Sequence, residues 1–165
     1  MGTSSAIPEK SLKRRKDEDK EVMGRSKERV IKYRDAVKAL FDRIDGWLTP
    51  LKKKDSVKSK RLKMSISEMC AGTYNTEQME IRMGRRLVRI VPKGINKIGY
   101  NGRIDVSGDK EDVLFGKKEE VMLVTDDFIG WRVVVMDPQG RRDIADQLDE
   151  DVFMKLIDSV SGKPD

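Results

Sequence analysis

The amino-acid sequence predicts an α+β fold: an N-terminal amphipathic helix, a curved antiparallel β-meander of about five to seven short strands, and a C-terminal helix. Three observations carry that prediction. Apolar residues recur at spacings of three and four between Val30 and Trp47. The period then falls to two through several short stretches punctuated by turn residues. A second helical pattern closes the chain after Leu148. The links between strand candidates are too short for βαβ crossovers, which argues against a nucleotide-binding parallel sheet.

The first helix is read from Val30, Tyr33, Val37, Leu40, Ile44 and Trp47, which share one helical face. Lys32, Arg34, Asp35, Lys38, Asp42 and Arg43 occupy the opposite face. Gly46 weakens the last turn and Pro50 is expected to stop the helix. The 3-4 spacing also fits a coiled-coil seam, but the apolar heptads are too few, and packing on a sheet is the expected use. Leu62, Met64 and Ile66 then alternate with polar residues, as do Met79, Ile81 and Met83, and Gly84-Arg85 reads as a turn into Leu87–Val91.

Asn101-Gly102 predicts a tight hairpin joining Lys97–Tyr100 to Arg103–Val106. Another hairpin is expected where Gly116-Lys117-Lys118 separates Val113–Phe115 from Val121–Val124. Trp131–Met136 is a continuous apolar run apart from Arg132, expected of a central, well-buried strand. Asp137-Pro138-Gln139-Gly140 is a turn with Pro at its second position, after which no further strand is expected. Asp149 is the expected cap of the closing helix, whose apolar face is Val152, Phe153, Leu156, Ile157 and Val160.

At 165 residues the chain fits one domain with tails. The expected division is a disordered, charged tail over 1–25, a single α+β domain over 26–161 with a basic linker at 51–61, and a short tail over 162–165. Residues 1–20 hold almost nothing apolar with which to offset the entropy of ordering. Charged residues make up 39% of the chain and apolar ones 37%, so the core must be lean.

The sequence contains no His and one Cys. That removes Ser-His-Asp and Cys-His nucleophilic centres, His-ligated metal sites, internal disulfides and cysteine clusters. Cys70 is expected to be a small, half-buried hydrophobe rather than a nucleophile. Met64, Met79 and Met83 fall in the alternating pattern and read as core. No stretch has the length and apolarity of a membrane span, and the N-terminus lacks the apolar core of a secretion signal. A cytoplasmic protein with no membrane partner and no cofactor is the expectation.

The net charge of +6 is unevenly distributed. Residues 1–97 carry 26 basic and 13 acidic side chains, whereas residues 98–165 carry 9 and 16. The binding candidates are Lys52, Lys53, Lys54, Lys58, Lys60 and Arg61 of the basic stretch, extended by Arg82, Arg85, Arg86 and Arg89 of the neighbouring hairpin. Lysine-rich composition suits diffuse contact with phosphates or acidic side chains rather than base reading. The aromatic residues needed for a nucleic-acid stacking platform are few. Gly99-Tyr100-Asn101-Gly102 has the spacing of a KH-domain Gly-x-x-Gly loop, but Ile104 and Val106 alternate after it as a strand does.

Asp105, Asp126, Asp127 and Asp137 stand at or near strand ends, where a His-free carboxylate-metal hydrolase would place its ligands. No ordered motif links them, and their use as turn residues is the favoured explanation. The leading expectation is therefore a non-catalytic protein-binding or regulatory module, such as an inhibitor, adaptor or complex subunit. A nucleic-acid-binding accessory protein using residues 52–89 is the alternative, and the hydrolase is the second alternative.

Overall fold

A computed structural model of the chain describes residues 9–96, 99–108 and 120–161. It has the predicted α+β arrangement: helix α1 (Glu9–Lys53), seven strands, and helix α2 (Glu150–Ser161). The strands are β1 (Val57–Glu68), β2 (Gly72–Met83), β3 (Arg86–Gly94), β4 (Gly102–Gly108), β5 (Glu120–Thr125), β6 (Arg132–Asp137) and β7 (Gly140–Ala145). They form one antiparallel sheet in sequence order, with β1 and β7 at its edges.

The core lies where the helices pack on the sheet. Tyr33, Val37, Leu40, Phe41, Ile44 and Leu48 of α1 are buried with Ile81, Val88, Ile90, Ile104, Leu123 and Val133 of the strands. Phe153, Leu156, Ile157 and Val160 of α2 complete the same cluster, and the Trp47 and Phe153 rings lie 5.5 Å apart. Asp149 caps α2 as expected, its Oδ1 accepting the Val152 N–H at 2.9 Å.

Tyr33 ties α1 to the sheet. Its hydroxyl donates to the Arg103 carbonyl at 2.5 Å and accepts the Gly94 N–H at 3.2 Å. Burial pushes its ionisation well above the ordinary tyrosine range, so it remains a donor. The ring lies so close to β4 that a Cβ at Gly102 would come within 2.7 Å of it. That close approach, rather than a tight hairpin, accounts for the Gly of Asn101-Gly102. Gly102 already pairs with Thr125 in the sheet, and the positive φ belongs to Gly99.

Several further expectations are corrected. Helix α1 begins at Glu9, so residues 9–25 are helical rather than the disordered tail their composition predicts. Lys, Arg and Glu are good helix formers, and opposite charges recur four residues apart, as in Glu21 and Arg25 at 3.4 Å. Pro50 does not stop the helix. It lies in the last turn, where its missing N–H forfeits only the bond to the carbonyl of Gly46.

The helix ends instead in a Schellman turn. Ser56 N bonds to Leu51 O at 3.3 Å and Asp55 N to Lys52 O at 3.0 Å, with Asp55 at φ 58°. The expected linker at 51–61 is thus the end of α1, this turn, and the first residues of β1.

Cys70 is exposed in the β1–β2 turn at φ 67°, not half-buried in a strand. A seventh strand follows the Asp137–Gly140 turn. Its residues Arg141, Arg142 and Asp143 are exposed on an edge, so it offers no apolar alternation to read. Trp131–Met136 corresponds to a strand with Val133, Val134 and Val135 buried, but one next to the edge rather than central. Val133 faces the helices, whereas Val134 packs with Met122, Val124 and Tyr100 on the opposite face. The proposed strand over Val113–Phe115 and its Gly116-Lys117-Lys118 turn lie outside the described residues, as do Lys97 and Ile98.

Candidate functional site

The ten basic residues singled out in the sequence divide into two groups. One group is neutralised by the fold. Lys52 reaches Asp45 at 2.8 Å, and Arg61 reaches Asp45 at 2.7 Å and Asp42 at 2.8 Å. Ser59 adds a hydrogen bond to Asp45 at 2.9 Å, and the Arg61 guanidinium lies 5.9 Å from the centre of the Phe41 ring. The contacts of Ser59 and Arg61 clamp β1 onto α1, and Lys52 joins the same carboxylate from within the helix.

Burial by itself would raise the Asp45 carboxyl. The hydrogen bonds from Lys52, Arg61 and Ser59 outweigh it and hold the group below the usual carboxylate range. On the other face of the sheet, Glu80 lies between Lys60 at 3.5 Å and Arg89 at 3.7 Å. Arg86 donates to Ser161 Oγ at 3.1 Å and lies 3.9 Å from Asp158, linking β3 to α2.

The second group is Lys53, Lys54, Lys58, Arg82 and Arg85. All five are exposed, and none forms an ion pair with a described residue. The topology gathers them at one end of the sheet, where α1 turns into β1 and β2 turns into β3. The β2–β3 connection is the two-residue turn Gly84-Arg85, with Gly84 at φ 63°, closing the Met83–Arg86 pair. The antiparallel register then sets Lys58 directly opposite Arg82. Like charges facing each other across a ladder are destabilising. Lys53 and Lys54 have a local reason for their position, since the helix C-terminus favours cations. Lys58 and Arg82 have no such reason. Asp55, exposed in the Schellman turn, sets one acidic side chain at the border of this basic end.

The carboxylates considered as metal ligands are not brought together. Asp105 is held by Arg103 at 2.6 Å within β4, and Asp126 by Arg132 at 2.9 Å. Asp127 shapes the β5–β6 turn, accepting the N–H groups of Ile129 at 2.8 Å and Gly130 at 2.9 Å. Those backbone donors hold its carboxyl below the ordinary range. Asp137 accepts the Gln139 N–H at 2.8 Å in the β6–β7 turn. Among the described residues, no group of three or more His, Cys, Asp or Glu side chains is placed to hold a metal.

The sequence reading missed the counter-ions Asp42, Asp45, Glu80 and Asp158. Asp42 and Asp45 are three apart on the helix, so their shared face was readable. Their pairing with Arg61 depends on how β1 crosses the helix, which no local spacing encodes. Arg103, Arg132 and Arg141 were also missed. Arg132 and Arg141 lie 6.0 Å and 4.9 Å from the Tyr100 ring centre on the face away from the helices.

Comparison with known proteins finds no matching family, no matching curated protein and no matching solved structure. No helix among the described residues is long and apolar enough to cross a membrane.

Proposed function

We propose that this chain is a non-catalytic binding module that docks an acidic protein surface on Lys53, Lys54, Lys58, Arg82 and Arg85. The supporting observation is the Lys58–Arg82 pairing: two like charges opposite each other with no described counter-ion. Elsewhere in the same ladders the fold supplies an acid, as Glu80 does for Lys60 and Arg89. An external anion relieves the repulsion that the register imposes. The acidic side chain at this border favours a protein partner over nucleic acid, because Asp55 repels a continuous polyanion yet accepts a basic group at a protein rim. Stacking residues point the same way: Tyr33, Phe41 and Tyr74 are buried and Tyr100 is engaged by arginines at a distance along the sheet. We take the setting to be the cytoplasm, a reading supported by the single exposed thiol of Cys70.

The test compares the wild type with a variant carrying Gln at all five positions. Binding is titrated against a polyglutamate peptide and a DNA duplex of equal charge, at several salt concentrations. The wild type is expected to prefer the peptide, with salt-sensitive affinity, and the five-fold variant to lose about tenfold or more. A duplex bound more tightly than the peptide replaces this reading with the nucleic-acid one. Unchanged binding by the variant removes the basic end from both.

A further inference from the structure

From Glu9 to Arg25, α1 buries none of its described side chains, and Ser26 is the first buried position. The face that packs on the sheet nevertheless continues into this stretch. Counting toward the N-terminus from Tyr33 and Val30 in alternating threes and fours reaches Ser26, Met23, Asp19, Lys16 and Leu12. Leu12 and Met23 are large apolar side chains left 44% and 48% exposed.

The order along this face is apolar, basic, acidic, apolar, and it is its own complement when reversed. Against a second copy running antiparallel, Leu12 meets Met23 and Lys16 meets Asp19, each twice, about a two-fold axis between Asp17 and Glu18. That is the layering of an antiparallel coiled coil and the self-complementarity of an isologous contact. The charged residues directly flanking the seam, Lys13, Arg15 and Lys20, are all basic, so the charge attraction between antiparallel copies rests on the two Lys16–Asp19 layers. A parallel pair sets Lys16 on Lys16 and Asp19 on Asp19.

We propose that this stretch of α1 is a self-recognition surface on which a second copy of the chain docks antiparallel through Leu12, Lys16, Asp19 and Met23. The face spans about 17 Å of helix. That is less than a standard stable interface requires, so the dimer is weak, reversible and weakened by salt.

Sedimentation equilibrium of the full chain over a concentration series tests it. A monomer–dimer equilibrium is expected, with either Lys16→Asp or Asp19→Lys alone weakening the dimer about tenfold or more. Combining the two exchanges the signs on both copies and is expected to restore it. In a Cys70→Ser background, Leu12→Cys chains mixed with Met23→Cys chains are expected to oxidise to mixed disulfide dimers ahead of either like pair. Circular dichroism of each variant checks that the helix persists. A chain monomeric into the millimolar range, a double variant no tighter than the single ones, or a preference for like disulfide pairs overturns the proposal.

Discussion

Helix α1 contains two stretches that share one heptad register and differ in everything that holds them. From Ser26 to Leu48 the inward positions are Val30, Tyr33, Val37, Leu40 and Ile44, all buried against the strands. From Glu9 to Arg25 the equivalent positions include Lys16 and Asp19, and no described side chain is buried. The first stretch is helical because a sheet covers it. The second is helical through residue propensity and charges spaced four apart, each worth tenths of a kilocalorie. A continuous backbone therefore joins a segment expected to unfold with the core to one expected to fray independently of it.

The largest test of this contrast is Leu40→Ala. Removing a buried leucine is expected to lower the unfolding free energy by about 2–5 kcal/mol, read from urea denaturation. Tyr33→Phe comes next. It keeps the ring but strips the hydroxyl from the Arg103 carbonyl and the Gly94 N–H, for an expected loss of about 1–3 kcal/mol.

Asp45→Asn sharpens the comparison through pH. The folded carboxyl titrates below its ordinary range, so its contribution is complete above the unfolded value and is lost as pH falls through the lowered folded one. Denaturation midpoints measured down through the acid range are expected to fall less steeply in the variant than in the wild type. At the small end, Leu12→Ala is expected to change unfolding of the core by less than about 0.5 kcal/mol. An effect approaching that of Leu40→Ala means that residues 9–25 are not independent of the sheet.

How much was legible follows the same division. Val30, Tyr33, Val37, Leu40 and Ile44 were all readable as a buried face, because period and burial coincide when one side of a helix meets a core. The helical state of residues 9–25 was not, because a segment dominated by charge, in which Leu12 and Met23 interrupt an otherwise polar face, has the composition of a disordered tail. Strand β7 was hidden for the related reason that an exposed edge needs no alternation. Asn101-Gly102 misled because glycine has two uses: positive φ in a turn, and room for a neighbour, here the Tyr33 ring. Of the ten basic candidates, the sequence located all but could not rank them. Arg61 and Lys58 are three residues apart on one strand, yet one is clamped by Asp42 and Asp45 and the other faces Arg82.

By itself, then, the sequence determined the α+β class, the order of its two helices around a meander, the inward face of each helix, and the absence of histidine chemistry. Each of these follows from residue type and local period. Only the tertiary structure decided which charges are paired internally and which stay exposed with no ion pair among the described residues. That outcome depends on strand register and on the crossing of β1 over α1, which bring together residues far apart in the chain.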